Sequence, residues 1–195
     1  MSMIQDPEVV KDRIALLDRL GLEGKVCAEI GVCSGTYSVE IHRRRPKRLY
    51  LIDPWYGKGR LPDKDEVRGG MGENGYLSVR LKFDKDPSVE IIKKTSFDAS
   101  LDIQEQTLDF AFIDADHSYE YAFADLLLWY PKVKTGGWLA GHDYNRNEWN
   151  VREAVDSFVK VSGEMVSIIT GEPAGRNPKI CSGFWGNSFA IKKTR

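Results

Sequence analysis

The sequence predicts a single α/β domain built on a mostly parallel sheet. Three observations lead there. Strand-like and helix-like segments alternate from residue 25 onward. The central strands, above all Asp109-Phe110-Ala111-Phe112-Ile113, are continuous apolar runs, as in strands covered on both faces. The length of 195 residues suits one domain with a sizeable core, here residues 1–195.

Each element has a local reason. Val9, Val10, Ile14, Leu17 and Leu20 recur at helical spacing, and Asp6-Pro7 offers an N-cap and a first-turn proline, so a helix is expected from Asp6 to Leu22. Lys25 to Ile30 reads as a buried strand, Thr36 to Arg44 as a helix stopped before Pro46, and Arg48 to Ile52 as a second strand. These form a βαβ unit around a glycine-containing turn. From residue 54 to 88 the pattern breaks into glycines and charges, with helical spacing only from Tyr76 to Phe83. Such a long irregular insertion is uncommon in a compact domain. It reads as a lid over the substrate or as a tolerated loop. Regularity returns with strands Val89 to Lys93 and Asp109 to Ile113, with a weak helical pattern between Phe97 and Gln106. A helix follows over Ser118 to Pro131, then a Gly136-Gly137 turn, strand Trp138 to Gly141 and helix Asn150 to Val161. Strands Met165 to Thr170 and Ser188 to Lys192 close the chain with no helix between them, which implies an antiparallel pair.

Composition excludes little. The hydrophobic share of 42% and charged share of 29% are ordinary for a soluble globular protein, and the net charge of −1 gives no global pull toward nucleic acid or an anionic membrane. The basic run His42 to Arg48 reads as a solvated helix end, with a phosphate or RNA contact as the other reading. Cys27, Cys33 and Cys181 are odd in number and lack CxxC spacing, against a disulfide framework or a structural zinc site. The N-terminus has no basic region followed by an apolar core, and no spanning segment is visible, so the expected location is the cytoplasm.

Three clusters carry chemistry. The first is the turn Gly31 to Gly35, with Ser34 in it, Glu29 just before it and Asp53 ending the next strand. A strand-to-helix turn places backbone N–H groups at the carboxyl edge of a parallel sheet, where nucleotides bind. A dinucleotide site usually shows GxGxxG, and here only Gly31 and Gly35 are present. Glu29 would repel a pyrophosphate and suit a ligand bearing an ammonium group, while Asp53 can accept ribose hydroxyls. The second cluster is Asp114 to Glu120 and the third Gly141-His142-Asp143-Tyr144, after what should be neighbouring strands. Asp114, His142 and Asp143 could converge there and hold a divalent cation. His117 or His142 could instead act as a metal-free general base. Asp116 could cap the helix that begins near Ser118.

Ala28-Glu29-Ile30-Gly31-Val32, Leu51-Ile52-Asp53-Pro54-Trp55, Phe112 to Glu120 and Lys134 to Tyr144 together resemble the small class I S-adenosylmethionine-dependent methyltransferases. The group is methyltransferase family 24, related to the catechol and caffeoyl-CoA O-methyltransferases. The resemblance implies a Rossmann-like, seven-stranded sheet of order 3-2-1-4-5-7-6 with one antiparallel strand and helices on both faces. It implies Glu29 and Gly31 near the methionine moiety, Asp53 on the ribose, Thr95, Ser96 and Phe97 against the adenine, and Asp114 between cofactor and metal. In metal-dependent relatives, positions matching Asp114, His142 and Asp143 bind magnesium; His142 departs from that pattern and would favour a softer ion. A catalytic lysine of some relatives is replaced by His117.

The expected activity is therefore S-adenosylmethionine-dependent methylation of a small-molecule hydroxyl, with His117, Asp114 and His142 as the catalytic set. A cofactor-binding protein without catalysis and an NAD-linked oxidoreductase are the rivals. A small-molecule acceptor is the expected partner, nucleic acid and membrane are not, and self-association is left open.

Overall fold

The computed structural model describes residues 6–56, 71–144, 150–171 and 187–195. Among the described residues, fourteen elements follow one another. They are β1 (Glu8–Val10), α1 (Arg13–Leu20), β2 (Val26–Ile30), α2 (Thr36–His42), β3 (Arg48–Ile52), α3 (Gly72–Phe83) and β4 (Val89–Ile92). Then come α4 (Ser96–Asp102), β5 (Leu108–Ile113), α5 (Tyr119–Trp129), β6 (Val133–Gly141), α6 (Val151–Ser162), β7 (Val166–Thr170) and β8 (Phe189–Lys192).

The eight strands form one sheet in the order β1-β7-β8-β6-β5-β2-β3-β4. All pairs are parallel except those of β8, which runs antiparallel to both β6 and β7. Without β1 this is the expected seven-strand order. The added strand corrects the sequence reading, which made residues 6–22 one helix. Glu8-Val9-Val10 instead extend the sheet beside β7, with Glu8 opposite Ile168 and Val10 opposite Thr170. Adjacent valines suit a strand, and β7 offered an unpaired edge. The helix begins at Arg13 because Asp12 caps it, accepting the backbone N–H of Ile14 at 3.0 Å and Ala15 at 2.8 Å. Gly21, with φ of 62°, ends it.

The pleat sorts the strand side chains between two cores. Ala28, Ile30, Ala111, Ile113 and Leu139 face α4, α5 and α6 through Ala99, Leu126, Trp129, Val155 and Phe158. Cys27, Leu49, Leu51, Phe110 and Phe112 face α1, α2 and α3 through Leu16, Tyr37, Ile41, Val79 and Phe83. Both faces of β2 and β5 are buried, which is why these strands carry no polar alternation. Burial of each large side chain such as Phe110 contributes roughly 1.5–3 kcal/mol.

Other departures have local causes. The weak pattern after Phe97 is a helix, α4. The expected Gly136-Gly137 turn lies inside a longer strand, β6, where pairing with β5 shifts register between Leu108 and Phe110. Gly137 is needed there because a Cβ would lie 2.9 Å from the Asp109 carbonyl oxygen. The irregular stretch 54–88 contains a full helix, α3, starting four residues before Tyr76. The lid reading of residues 57–70 falls outside the described residues, as do residues 172–186 with Cys181.

Candidate functional site

Four residues of the expected site stand in one row. Gly31, Asp53, Asp114 and His142 are each the first residue after a strand. Each backbone N–H still donates to the last carbonyl of the neighbouring strand: Gly31 to Ile52 at 2.9 Å, Asp53 to Ile92 at 3.3 Å, Asp114 to Ile30 at 2.8 Å and His142 to Ile113 at 3.1 Å. The parallel ladder thus continues one step beyond β2, β3, β5 and β6 and fixes four functional backbones side by side at the carboxyl edge.

The turn after β2 is held from below and from the side. Asp53 Oδ2 accepts the N–H groups of Val32 at 3.0 Å and Cys33 at 2.9 Å, and its Oδ1 accepts that of Trp55 at 2.6 Å. Of roughly four acceptor positions on a carboxylate, three are taken, leaving about one for a ligand hydroxyl. Burial raises the Asp53 pKa, while the three N–H groups oppose that rise. Trp55 Nε1 donates to the Cys33 carbonyl at 2.7 Å. From α3, Lys82 Nζ and Ser78 Oγ donate to the Ser34 carbonyl at 2.7 and 3.2 Å. Ser34 Oγ lies 3.1 Å from Thr36 Oγ1.

Gly31 serves the protein's own packing. With φ of 89°, it would carry a Cβ 2.1 Å from the Asp114 carbonyl oxygen. Glu29 lies beneath the turn, 2% exposed, hydrogen-bonded to Ser38. Burial pushes its pKa up to about 8, against the Ser38 hydrogen bond.

Beyond β4, Thr95 caps α4 by accepting the Asp98 N–H at 3.1 Å. Ser96 is turned inward: its hydroxyl bonds Asp125 and accepts Trp129 Nε1 at 2.8 Å, joining α4 to α5. Phe97 stays exposed, at 58%.

The acidic motifs after β5 and β6 do converge. His117 Nε2 lies 3.0 Å from Asp143 Oδ2 and 3.4 Å from Asp114 Oδ1. His142 Nδ1 lies 3.2 Å from Asp143 Oδ2 and 3.8 Å from Asp114 Oδ2. Burial opposes the charge on His117, but the two carboxylates outweigh it and raise its pKa to about 9. Burial likewise works against the Asp143 charge, and the two imidazoles overcome it, lowering its pKa. Ligand atoms of Asp114, His117 and Asp143 all lie within 4.8 Å of one another, a set that could hold a metal ion. In that set His117 stands where the sequence reading put His142, which is not one of the three. Asp116 Oδ1 accepts the Ser118 N–H at 2.8 Å, three residues before α5 begins rather than as its N-cap, which is Ser118.

Strain gathers on this edge. Cys33, Trp55 and Asp143 have φ of 54°, 45° and 60°, values that L residues avoid at about 1–3 kcal/mol each. They stand beside Asp53 and His142, and the hydrogen bonds just described hold them there.

Sequence reasoning missed Arg13. Its side chain is 4% exposed, its Nη1 lies 3.6 Å from Asp114 Oδ2, and its Cζ lies 4.7 Å from the Tyr37 ring centre. The signal was available: Arg13 shares a helical stripe with Leu16, Leu17 and Leu20, where an apolar residue is expected. The basic run is spent internally: Arg43 pairs with Glu40, Arg44 with Asp18 and Arg45 with Glu23.

Residues 28–144 match the family model described as Methyltransferase domain, a span that includes the turn, Asp53 and both acidic motifs. The chain belongs to methyltransferase family 24. An uncharacterized protein of Acanthamoeba polyphaga mimivirus is 30% identical over 139 residues, covering 67% of this chain, and the match spans only 58% of that relative's length. Among solved structures, the chain resembles the O-methyltransferase NovP with a TM-score of 0.66 at 16% identity, covering 94% of this chain and 80% of that one. The O-methyltransferase from Bacillus cereus, solved with S-adenosylhomocysteine, gives 0.58 at 15% identity, covering 92% and 78%. Precorrin 8w decarboxylase from Methanobacterium thermoautotrophicum gives 0.61 at 16% identity, covering 97% and 100%. At these identities the likeness is one of fold. Among the described residues, no helix is long and apolar enough to cross a membrane.

Proposed function

We propose that the methyltransferase uses S-adenosylmethionine to methylate a hydroxyl group of a small molecule. The observation that carries this reading is the cluster of Asp114, His117, His142 and Asp143 beyond β5 and β6, on the same sheet edge as the Gly31 turn and Asp53 beyond the adjoining β2 and β3. The donor set fits the cofactor. Asp53 and Asp114 place two acids beside the turn, which suits an ammonium and ribose hydroxyls and opposes the pyrophosphate of a dinucleotide, and the Glu29 carboxyl lies buried beneath it. Exposed Phe97 offers a ring face to the adenine.

When bound, the cofactor supplies a methyl group activated on a sulfonium. The protein's part is alignment of the acceptor oxygen and removal of its proton. Asp114, His117 and Asp143 present two carboxylates and an imidazole at one point of the edge, where an acceptor hydroxyl can be oriented and its proton taken. The same three groups would hold a divalent cation, and the imidazole favours zinc or iron over magnesium. His142 braces Asp143 from the buried side.

Calorimetry with S-adenosylhomocysteine and with NAD tests the cofactor; tighter binding of NAD would overturn it. Transfer of a labelled methyl group to a panel of hydroxylated metabolites tests the activity. His117→Ala is expected to lower turnover by about 100-fold while S-adenosylhomocysteine still binds, and unchanged turnover would remove the cluster from the mechanism.

A further inference from the structure

Arg13 comes from the segment that the family match leaves out, residues 1–27, yet it reaches the row of functional residues. The fold goes to some length to put it there. β1 pairs with β7, Asp12 caps α1, and Leu16 and Leu17 are fully buried. Tyr37 donates its hydroxyl to the Arg13 carbonyl at 3.2 Å, and Arg44, two residues past the end of α2, donates to the Ile14 carbonyl at 3.2 Å. α1 is therefore locked to α2, directly behind the Gly31 turn. Burying a guanidinium is costly unless anions surround it. Among the described residues, Asp114 of the candidate site lies 3.6 Å away, and the buried Glu29 carboxyl is close enough to feel the Arg13 charge.

The separation of 3.6 Å is longer than a closed charge-assisted bond of about 2.8 Å. Tyr37 covers the face of the guanidinium, and Nη1 is the atom that approaches Asp114, itself a quarter exposed. One edge therefore carries a cation and acids side by side. That pairing matches an α-amino acid, which presents a carboxylate and an ammonium on one carbon and is neutral overall. Resting on the cofactor reading above, we infer that Arg13 binds the carboxylate of the cofactor's amino-acid tail, with Asp114 on the side of its ammonium.

A pair of probes separates the tail from the rest. S-adenosylhomocysteine has the amino-acid tail, and 5′-methylthioadenosine has the same nucleoside and thioether without it. Binding of each is measured by calorimetry with the full chain, wild type, Arg13→Gln and Arg13→Lys. Arg13→Gln is expected to weaken S-adenosylhomocysteine by roughly 10- to 100-fold while 5′-methylthioadenosine changes by less than about twofold. Arg13→Lys keeps the charge without the fork and is expected to lose about fivefold on the first probe alone. If Arg13→Gln does not fold, the lysine variant carries the same comparison. Equal loss for both probes, or loss for neither, overturns the assignment. A wild-type protein that binds neither probe fails the cofactor reading itself, a result distinct from a wild type that prefers the tailed probe with indifferent variants.

Discussion

Glu29 shares a hydrogen bond with Ser38 beneath the Gly31 turn, in a place only 2% open to solvent. Burial raises its pKa from 4.5 to about 8. Between those values the folded chain keeps the proton and the unfolded chain has lost it. Stability at this group is therefore greatest at low pH and falls as pH rises through that window. Glu29→Gln cannot titrate. Denaturant unfolding at pH 5 and pH 9 should show a smaller loss in the variant, by a few kcal/mol; an equal loss would contradict the burial of this carboxyl.

Asp53 holds three backbone N–H groups, two of them flanking the strained Cys33 and one belonging to the strained Trp55. Asp53→Ala leaves all three without their acceptor. The expected cost is about 3 kcal/mol, set by loss of hydrogen bonds to a charged group. Affinity for S-adenosylhomocysteine should fall with it, because the turn loses its shape. A melting curve and a calorimetric titration of the same sample check both.

Two glycines with positive φ should respond very differently to alanine. Gly31→Ala forces a Cβ to within 2.1 Å of the Asp114 carbonyl oxygen, whereas Gly24→Ala meets nothing within 4 Å. The second change costs only backbone strain, about 1 kcal/mol. The first must push β2 and β5 apart and should leave little folded protein. Denaturant midpoints or soluble yields that fail to separate the two would refute the close approach.

Asp143 faces His117 at 3.0 Å and His142 at 3.2 Å. Asp143→Asn keeps the shape and removes the charge that both imidazoles share. Turnover is expected to fall by about 100-fold. Zinc should raise the melting temperature of the wild type and leave that of Asp143→Asn unchanged. Equal zinc shifts in the two proteins would mean that the ion sits elsewhere.

Much of this architecture was legible in one dimension. Apolar runs without alternation marked β2 and β5 as central, and the missing helix between β7 and β8 foretold the antiparallel strand. The first residues after β2, β3, β5 and β6, which are Gly31, Asp53, Asp114 and His142, could be picked out because a parallel sheet aligns strand ends. The N-terminal segment misled. Val9 and Val10 fit a helical stripe as well as a strand, and only the open edge of β7 decided between them.

What the sequence determined by itself was the alternation of strands and helices and which residues end the central strands, because both follow from local periodicity; the strand order came from the family resemblance, and β1 was added by the fold. Tertiary structure alone decided how those residues are used. It engaged Asp53 with the turn, buried Glu29 under it, brought His117 to Asp143, and set Arg13 beside Asp114 from 101 positions away along the chain. Burial and distances between side chains far apart in sequence are set by packing, and no spacing within a motif records them.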